Sequence, residues 1–438
     1  LCALLLPSAG FAVGPAFESL SPAAAAAGIR LPEAAKPLPP EASMKEWTIM
    51  MYTDAKARGE MPYTLKEFAG IEKVGSTPKV NFVIQNSKNW NSAERYLVLK
   101  STGGDAFVSP ALEKLSSVDG GDYKVVLDFV NWARARFPAR RYALILWGHG
   151  SGWEENAKPK AAHKGMGYDW ETRNHIRNAE LGKILEASGR VDLLMLMACQ
   201  MQMAEVVYEV RGHAGLIMGS EELYWGPSFV YEPLIRTLDA KPDASPAEIA
   251  GPVLAAYKKA VSTDPEAAAS NEKNDLGRTF SAIDAAKLPR LAALLSDWTR
   301  AVISANEKEA AKYAAGAVLR FGLRGYGSQS PDLARDYATF SDLYHFVELT
   351  GSRAKTTAVR TKSEELTAFI SKELVVANLG LYRKKHGNYE ADAHGISIEV
   401  SPRRAGNPFA SPLELDYRTS SAFAADSGWA DFLVWFSR

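Results

Sequence analysis

Two side chains in this 438-residue sequence combine reactivity with suggestive placement. Cys199 follows the apolar run Val191-Asp-Leu-Leu-Met-Leu-Met-Ala198, and His149 lies in the turn Gly148-His-Gly-Ser-Gly152, just after the apolar run Tyr142-Ala-Leu-Ile-Leu-Trp147. A free thiol, with a pKa of about 8.5, is only a few per cent thiolate at neutral pH. A neighbouring imidazole and the start of a helix after Cys199 would both favour the anion. The imidazole can then protonate a leaving amine. Glycines 148, 150 and 152 let the backbone pass close to a guest, and the amides of Gly150 and Cys199 can face an oxyanion. The competing readings are plainer: a small buried hydrophobe for Cys199 and an ordinary turn for Gly-His-Gly.

For these residues to meet, the chain must end two strands side by side. Trp47-Thr-Ile-Met-Met-Tyr52, Val80-Asn-Phe-Val-Ile84, Tyr96-Leu-Val-Leu99, the runs before His149 and Cys199, and Gly215-Leu-Ile-Met-Gly219 all read as strands. Between them, Leu65, Phe68 and Ile71, then Val125, Val126, Phe129, Val130 and Ala133, recur at helical spacing. Met203, Val206, Val207 and Val210 mark an amphipathic helix after the cysteine. Apolar strands alternating with helices predict an α/β fold with a mostly parallel sheet sandwiched by helices. Sites in such sheets form beyond the carboxyl ends of the strands, where His149 and Cys199 both lie.

The pattern restarts at the strand Thr279–Ile283, followed by a helix carrying Leu291, Leu294, Leu295, Trp298 and Val302. Residues 262–275 read as a polar, loop-like boundary. This divides the chain into a domain at 45–262 and a C-terminal α/β region at 276–438 packed on it. That region includes a strand at Gly395-Ile-Ser-Ile-Glu-Val400 and an aromatic closing helix at Trp429–Phe436. Leu1–Val13, LCALLLPSAGFAV, resembles the hydrophobic part and cleavage region of a secretory signal peptide, taken as residues 1–14. The run is shorter than the roughly 20 apolar residues a membrane span needs. Residues 15–44 are rich in Ala and Pro and read as a disordered linker. The expected location is therefore secreted, periplasmic or cell-envelope, with no membrane span in the mature protein.

Composition narrows the function. The 51 basic and 51 acidic residues cancel, so no long-range attraction for nucleic acid or anionic lipid is expected. Two cysteines, Cys2 and Cys199, exclude a disulfide scaffold and a thiolate zinc site. His163, His175 and His213 share no metal-ligand spacing, and no Asp-x-Asp-x-Asp-Gly calcium loop occurs.

The run Trp147-Gly-His-Gly-Ser-Gly-Trp153 resembles the histidine motif of the clostripain family of cysteine peptidases, and the stretch Asp192–Val210 resembles that family's cysteine motif. Gly219-Ser-Glu-Glu222, the Trp47 strand, Arg95–Leu99, Ser281–Asp284, Thr339–Tyr344 and Gly395–Ile398 have family-like counterparts, so the similarity spans Trp47 to Phe436. The separation of 199 − 149 = 50 residues is also close to the caspase spacing. The resemblance implies a caspase-like fold with a C-terminal extension, His149 as general acid/base, Cys199 as nucleophile and a peptide or protein substrate. No cofactor is required; calcium is an expectation from relatives only. The resemblance also implies activation by cleavage in the loop after the histidine, for which Glu154–Lys164, carrying Lys158, Lys160 and Lys164, is the candidate segment; the plainer reading is an exposed loop.

One departure matters. The family's motif carries an acid two residues before the cysteine, where it holds the basic side chain preceding the cleaved bond; this chain has Met197. An unpaired arginine buried there would cost several kcal/mol, so specificity is expected to have moved away from arginine. Ser220, Glu221, Glu222 and Trp225 complete the candidate substrate-binding set. Either glutamate is a candidate for the missing charge and Trp225 for an apolar wall, whereas the plainer reading of the glutamates is a solvated loop. A non-catalytic binding protein on this scaffold and a transpeptidase are the competing functions. Oligomeric state is not legible.

Overall fold

The computed structural model describes residues 44–54, 60–88, 92–101, 104, 106–153, 165–169, 171–224, 230–274, 277–322, 340–384, 387–400, 417–419 and 421–438. The signal-like and Ala/Pro-rich segments up to residue 43, the Glu154–Lys164 loop with His163, and Trp225 lie outside the described residues.

The described strands include β1 (Lys45–Asp54), β2 (Val80–Lys88), β3 (Ser92–Leu97), β4 (Ala111–Ser116), β5 (Ala139–Trp147), β6 (Met166–Asp169) and β7 (Asn174–Ile176). They continue with β8 (Val191–Met197), β9 (Ala214–Gly219), β10 (Arg278–Asp284), β11 (Arg320–Phe321), β12 (Phe340–Asp342) and β13 (Val375–Leu381). Nine of them form one sheet in the order β13-β10-β9-β8-β5-β1-β2-β3-β4. The five central strands, β2, β1, β5, β8 and β9, pair in parallel. Antiparallel strands flank them, β3 and β4 at one edge and β10 and β13 at the other. Covered on both faces, the central strands can be apolar at every position, which is how they read in sequence.

Helices α1 (Glu60–Glu72), α2 (Tyr123–Arg136), α3 (Asn178–Ser188), α4 (Ala204–Val207), α5 (Tyr231–Ala240), α6 (Pro246–Thr263), α7 (Pro265–Asn274) and α8 (Leu288–Ser304) accompany the sheet. Strand alternation splits the core. Leu144, Leu146, Leu194 and Leu196 meet Phe129, Ile184, Leu295 and Trp298 on one face, which α2, α3 and α8 cover. Ala143, Ile145, Met195 and Met197 meet Phe68, Tyr231, Leu234 and Tyr257 on the other, which α1, α5 and α6 cover.

Met44–Arg438 clusters as one compact unit. Antiparallel pairing of β10 with β9 carries the first region's sheet directly into residues after 276. Where a loop is expected at 262–275, the described residues up to Asn274 are instead helical: α6 runs to Thr263, and Asp264-Pro265 starts α7, with the Asp264 carboxylate accepting from the Ala267 amide at 3.3 Å. The helix expected after Cys199 is one α-turn, Ala204–Val207, continued as a 3₁₀ turn to Val210. In α1 the buried stripe is Thr64, Glu67, Phe68 and Ile71, whereas Leu65 is exposed. A hydrophobic residue lies outside and a carboxylate inside, the reverse of what polarity predicts.

Candidate active site

Register brings the two motifs together. β5 and β8 run in parallel with Trp147 opposite Met197, and the Gly148 amide donates to the Met197 carbonyl at 3.5 Å. His149 and Cys199 therefore each lie two residues beyond the same rung of adjacent strands, whose spacing is about 4.8 Å. The approach is so close that a Cβ on Gly150 would sit 2.4 Å from the Cys199 carbonyl oxygen and 2.9 Å from the Ala198 Cβ. Only glycine fits there. Behind the loop, the β6–β7 hairpin supplies an anchor: the Gly167 amide donates to the His149 carbonyl at 3.0 Å and the Ser151 amide to the Gly165 carbonyl at 3.1 Å. His149 is half-buried.

Cys199 is also half-buried and is not disulfide-bonded. Burial pushes its thiol above the usual value; the Tyr224 backbone N–H, directed at the sulfur, and the Arg278 guanidinium act against that push, while Glu222 adds to it. Since α4 begins five residues after Cys199 and is a single turn, the helix-dipole help expected from sequence is lacking. Its place is taken by Arg278, a residue that sequence reading passed over. This guanidinium, on the first residue of β10, is 2% exposed and donates to the Leu223 carbonyl at 2.9 Å. Because β10 is antiparallel to β9, its first residue lies at the same sheet end as Cys199.

The substrate-binding candidates fare unevenly. Met197 is 1% exposed and packs in the core of the second face. Ser220, Glu221 and Glu222 are all fully buried, which corrects the solvated-loop reading. Ser220 is turned inward, its hydroxyl bonding the Glu222 carbonyl at 2.9 Å and the Thr279 carbonyl at 2.8 Å. Glu222 accepts from the Leu223 amide at 2.8 Å, the Gly322 amide at 2.9 Å and the Tyr389 hydroxyl at 2.7 Å. Burial raises its pKa, and these donors with Arg278 pull it back. Glu221 accepts from the Gly395 amide at 3.1 Å. Burial, and then the neighbouring Asp342 carboxyl, keep Glu221 well above the ordinary carboxylate range. Both glutamates thus face groups contributed by the C-terminal region. Nothing local marked this, because Gly322, Tyr389 and Gly395 are 100 or more residues away.

Among the described residues, no group of three or more His, Cys, Asp or Glu side chains could hold a metal ion. No described helix is long and apolar enough to cross a membrane. His175 and His213 are each half-buried.

Comparison with known proteins agrees with the motifs. The sequence model of the clostripain family matches residues 74–435. A clostripain of Hathewaya histolytica is 27% identical over 232 residues, a match covering 44% of this chain and 42% of that protein. The chain thus aligns with less than half of that relative's length. A secreted C11 cysteine protease of Bacteroides thetaiotaomicron, solved with an irreversible peptide inhibitor, superimposes with a TM-score of 0.62 at 18% identity, over 88% of this chain and 99% of that one. An inactive zymogen C11 protease of Parabacteroides distasonis gives 0.62 at 19% identity over the same shares. At such identities the superpositions establish the fold, which is the caspase-like architecture the motifs implied. With most of its length matched by the family model, the chain belongs to the clostripain family.

Proposed function

We propose that this protein is an exported cysteine endopeptidase in which Cys199 attacks the scissile carbonyl and His149 serves as general acid/base. The observation that carries the reading is the shared rung of β5 and β8, which sets both residues at one sheet end with Gly150 against the Cys199 carbonyl. In the proposed sequence, His149 takes the thiol proton and the sulfur forms a bond to the carbonyl carbon. The resulting oxyanion is met by the Gly150 and Cys199 amides. Collapse expels the amine, protonated by His149, and leaves an acyl-enzyme. Water, deprotonated by the same imidazole, then releases the acid.

On this reading no cofactor takes part, and dialysis against EDTA should leave turnover unchanged. Met197 supplies no counter-charge, so a dominant arginine preference is not expected. A panel of fluorogenic peptides differing only before the cleaved bond tests this, and a dominant arginine signal would refute it. The nucleophile is tested by iodoacetamide. Rapid alkylation of Cys199 that His149→Ala slows at least tenfold supports the peptidase. Labelling at ordinary thiol rates in both proteins favours a binding protein instead. Added amine nucleophiles that divert the acyl group into new amides would identify a transpeptidase.

A further inference from the structure

The residue after Cys199 is held in an uncommon backbone conformation. Gln200 has a φ of 60°, in the left-handed region that a side chain other than glycine seldom occupies. Such a conformation persists only where its surroundings impose it. Here the Gln200 amide donates to the Glu222 carbonyl at 3.2 Å and the Gln202 amide to the Ser220 carbonyl at 3.1 Å. From the other side, the Ser397 amide donates to the Gln202 carbonyl at 3.0 Å. The shape of the Cys199 loop therefore depends on where residues 220–222 and 397 are held.

One group of side chains holds both. Glu221, in the middle of 220–222, accepts from the Gly395 amide at 3.1 Å. Asp342, the last residue of β12 and the partner of Ser397 in the sheet, accepts from the His394 amide and, at 2.7 Å, from the His345 amide. Both carboxyls are fully buried. Burial, and after it Asp342 above every other neighbour, keeps a proton on Glu221, so the pair carries one negative charge. The His394 ring answers that charge, its Nδ1 lying 3.3 Å from the Asp342 carboxylate and 3.1 Å from the Asp392 carbonyl. Stacked on Tyr344 at 3.9 Å, this side chain is 24% exposed. His394 thus connects solvent to the buried pair.

We propose that Glu221, Asp342 and His394 form a positioning group for the Cys199 loop, and that the proton on His394 sets how firmly the loop is held. With the imidazole charged, the three groups are neutral overall. Without its proton, an uncompensated negative charge stays enclosed beside Glu222, and the segment that fixes Gln200 and Gln202 loosens. Burial by itself would lower the His394 pKa; Asp342, by hydrogen bond and by charge, then the Asp392 carbonyl and Glu348, outweigh it and raise the value above 6.5. His345, its ring 6.5 Å from that of His394, also faces the cluster, as does Glu222 with its partners Tyr389 and Arg278. The hold is complete below 6.5, the value in the unfolded chain, and is lost as pH rises through the folded value.

This positioning goes beyond the peptidase reading and needs no substrate, so the test reads alkylation of Cys199 by iodoacetamide in the full chain. Dividing each variant's rate by that of wild type at the same pH cancels the ionisation of the thiol itself. His394→Gln cannot carry the charge, and its ratio should be about one-tenth to one-third near pH 5.5 and climb towards one by about pH 9. His394→Arg, always charged and able to stack on Tyr344, should begin near one and rise to about threefold over the same range. A merely structural histidine would give ratios that do not change with pH. Flat ratios in both variants, or ratios that fall as pH rises, overturn the proposal and leave the peptidase reading standing. Absence of cleavage of every fluorogenic peptide, with the pH-dependent ratios intact, would remove the peptidase reading and leave the positioning group.

Discussion

At the scale of single residues, the thiol is poised between burial, which disfavours its anion, and three influences that restore it, the Tyr224 N–H, Arg278 and the Cys199 N–H. Removing the guanidinium leaves burial and Glu222 less opposed. Arg278→Met is therefore expected to move the midpoint of the iodoacetamide rate–pH profile upward. Each unit of that shift would cost about tenfold in thiolate at neutral pH. Arg278→Lys, which keeps the charge but changes the donor geometry, should retain much of the rate. A midpoint unmoved by Arg278→Met would show that the charge does not reach the sulfur. Glu222 acts on the thiol and is itself acted on by Arg278, and its three donors hold it in place. Tyr389→Phe removes one of them, and a loss of about 1–3 kcal/mol in denaturant unfolding is expected for the orphaned buried acceptor.

Between elements, the decisive contact is the crossing of the loop after β5 with the end of β8. Gly150→Ala places a methyl group 2.4 Å from a backbone oxygen and 2.9 Å from the Met201 Cγ. A backbone atom cannot step aside as a flexible side chain can. One or the other strand end must shift, so a destabilisation of about 1–3 kcal/mol is expected, together with slowed Cys199 alkylation. Calorimetry and labelling on the same sample check both. The loop's far side is fixed by Trp153, whose indole donates to the Glu399 carboxylate at 3.1 Å and meets the Tyr417 ring edge-on at 4.8 Å. The histidine motif is thus tied to the C-terminal region, not only to the sheet.

Across the whole molecule, buried carboxyls link the two halves and make stability depend on pH. Glu205, beyond Cys199, accepts from the Glu399 amide at 3.0 Å and the Tyr417 hydroxyl at 2.7 Å. Burial pushes its pKa up to about 8, against donors that pull the other way. The unfolded chain gives up this proton near 4.5, so between 4.5 and about 8 the folded state binds more protons. Stability from this group is complete below that window and is lost as pH rises through it. Glu205→Gln preserves an acceptor oxygen and cannot ionise. Its melting temperature should fall less between about pH 5 and about pH 8 than that of wild type, and parallel curves would refute the account. The first-face core is anchored by Trp298, fully buried, bonded to Ser363 at 2.8 Å and stacked 6.1 Å from Trp429. Trp298→Ala should cost about 3–5 kcal/mol by denaturant melt.

Local chemistry made much of this legible in advance. Runs such as Tyr142–Trp147 and Val191–Met197 are apolar throughout because both sheet faces are covered, and the glycines beside His149 mark where backbones nearly touch. What no local pattern could carry is which distant group answers a buried charge. Glu221 and Glu222 look like a solvated turn until Gly395, Gly322 and Tyr389 close over them. Glu67 looks like the polar face of a helix, and residues 262–275 like a loop, until the packing is known. Periodicity records which side of an element is dry on average. The partner of a single carboxylate depends on chain segments brought together only by folding, and there the tertiary structure alone decided.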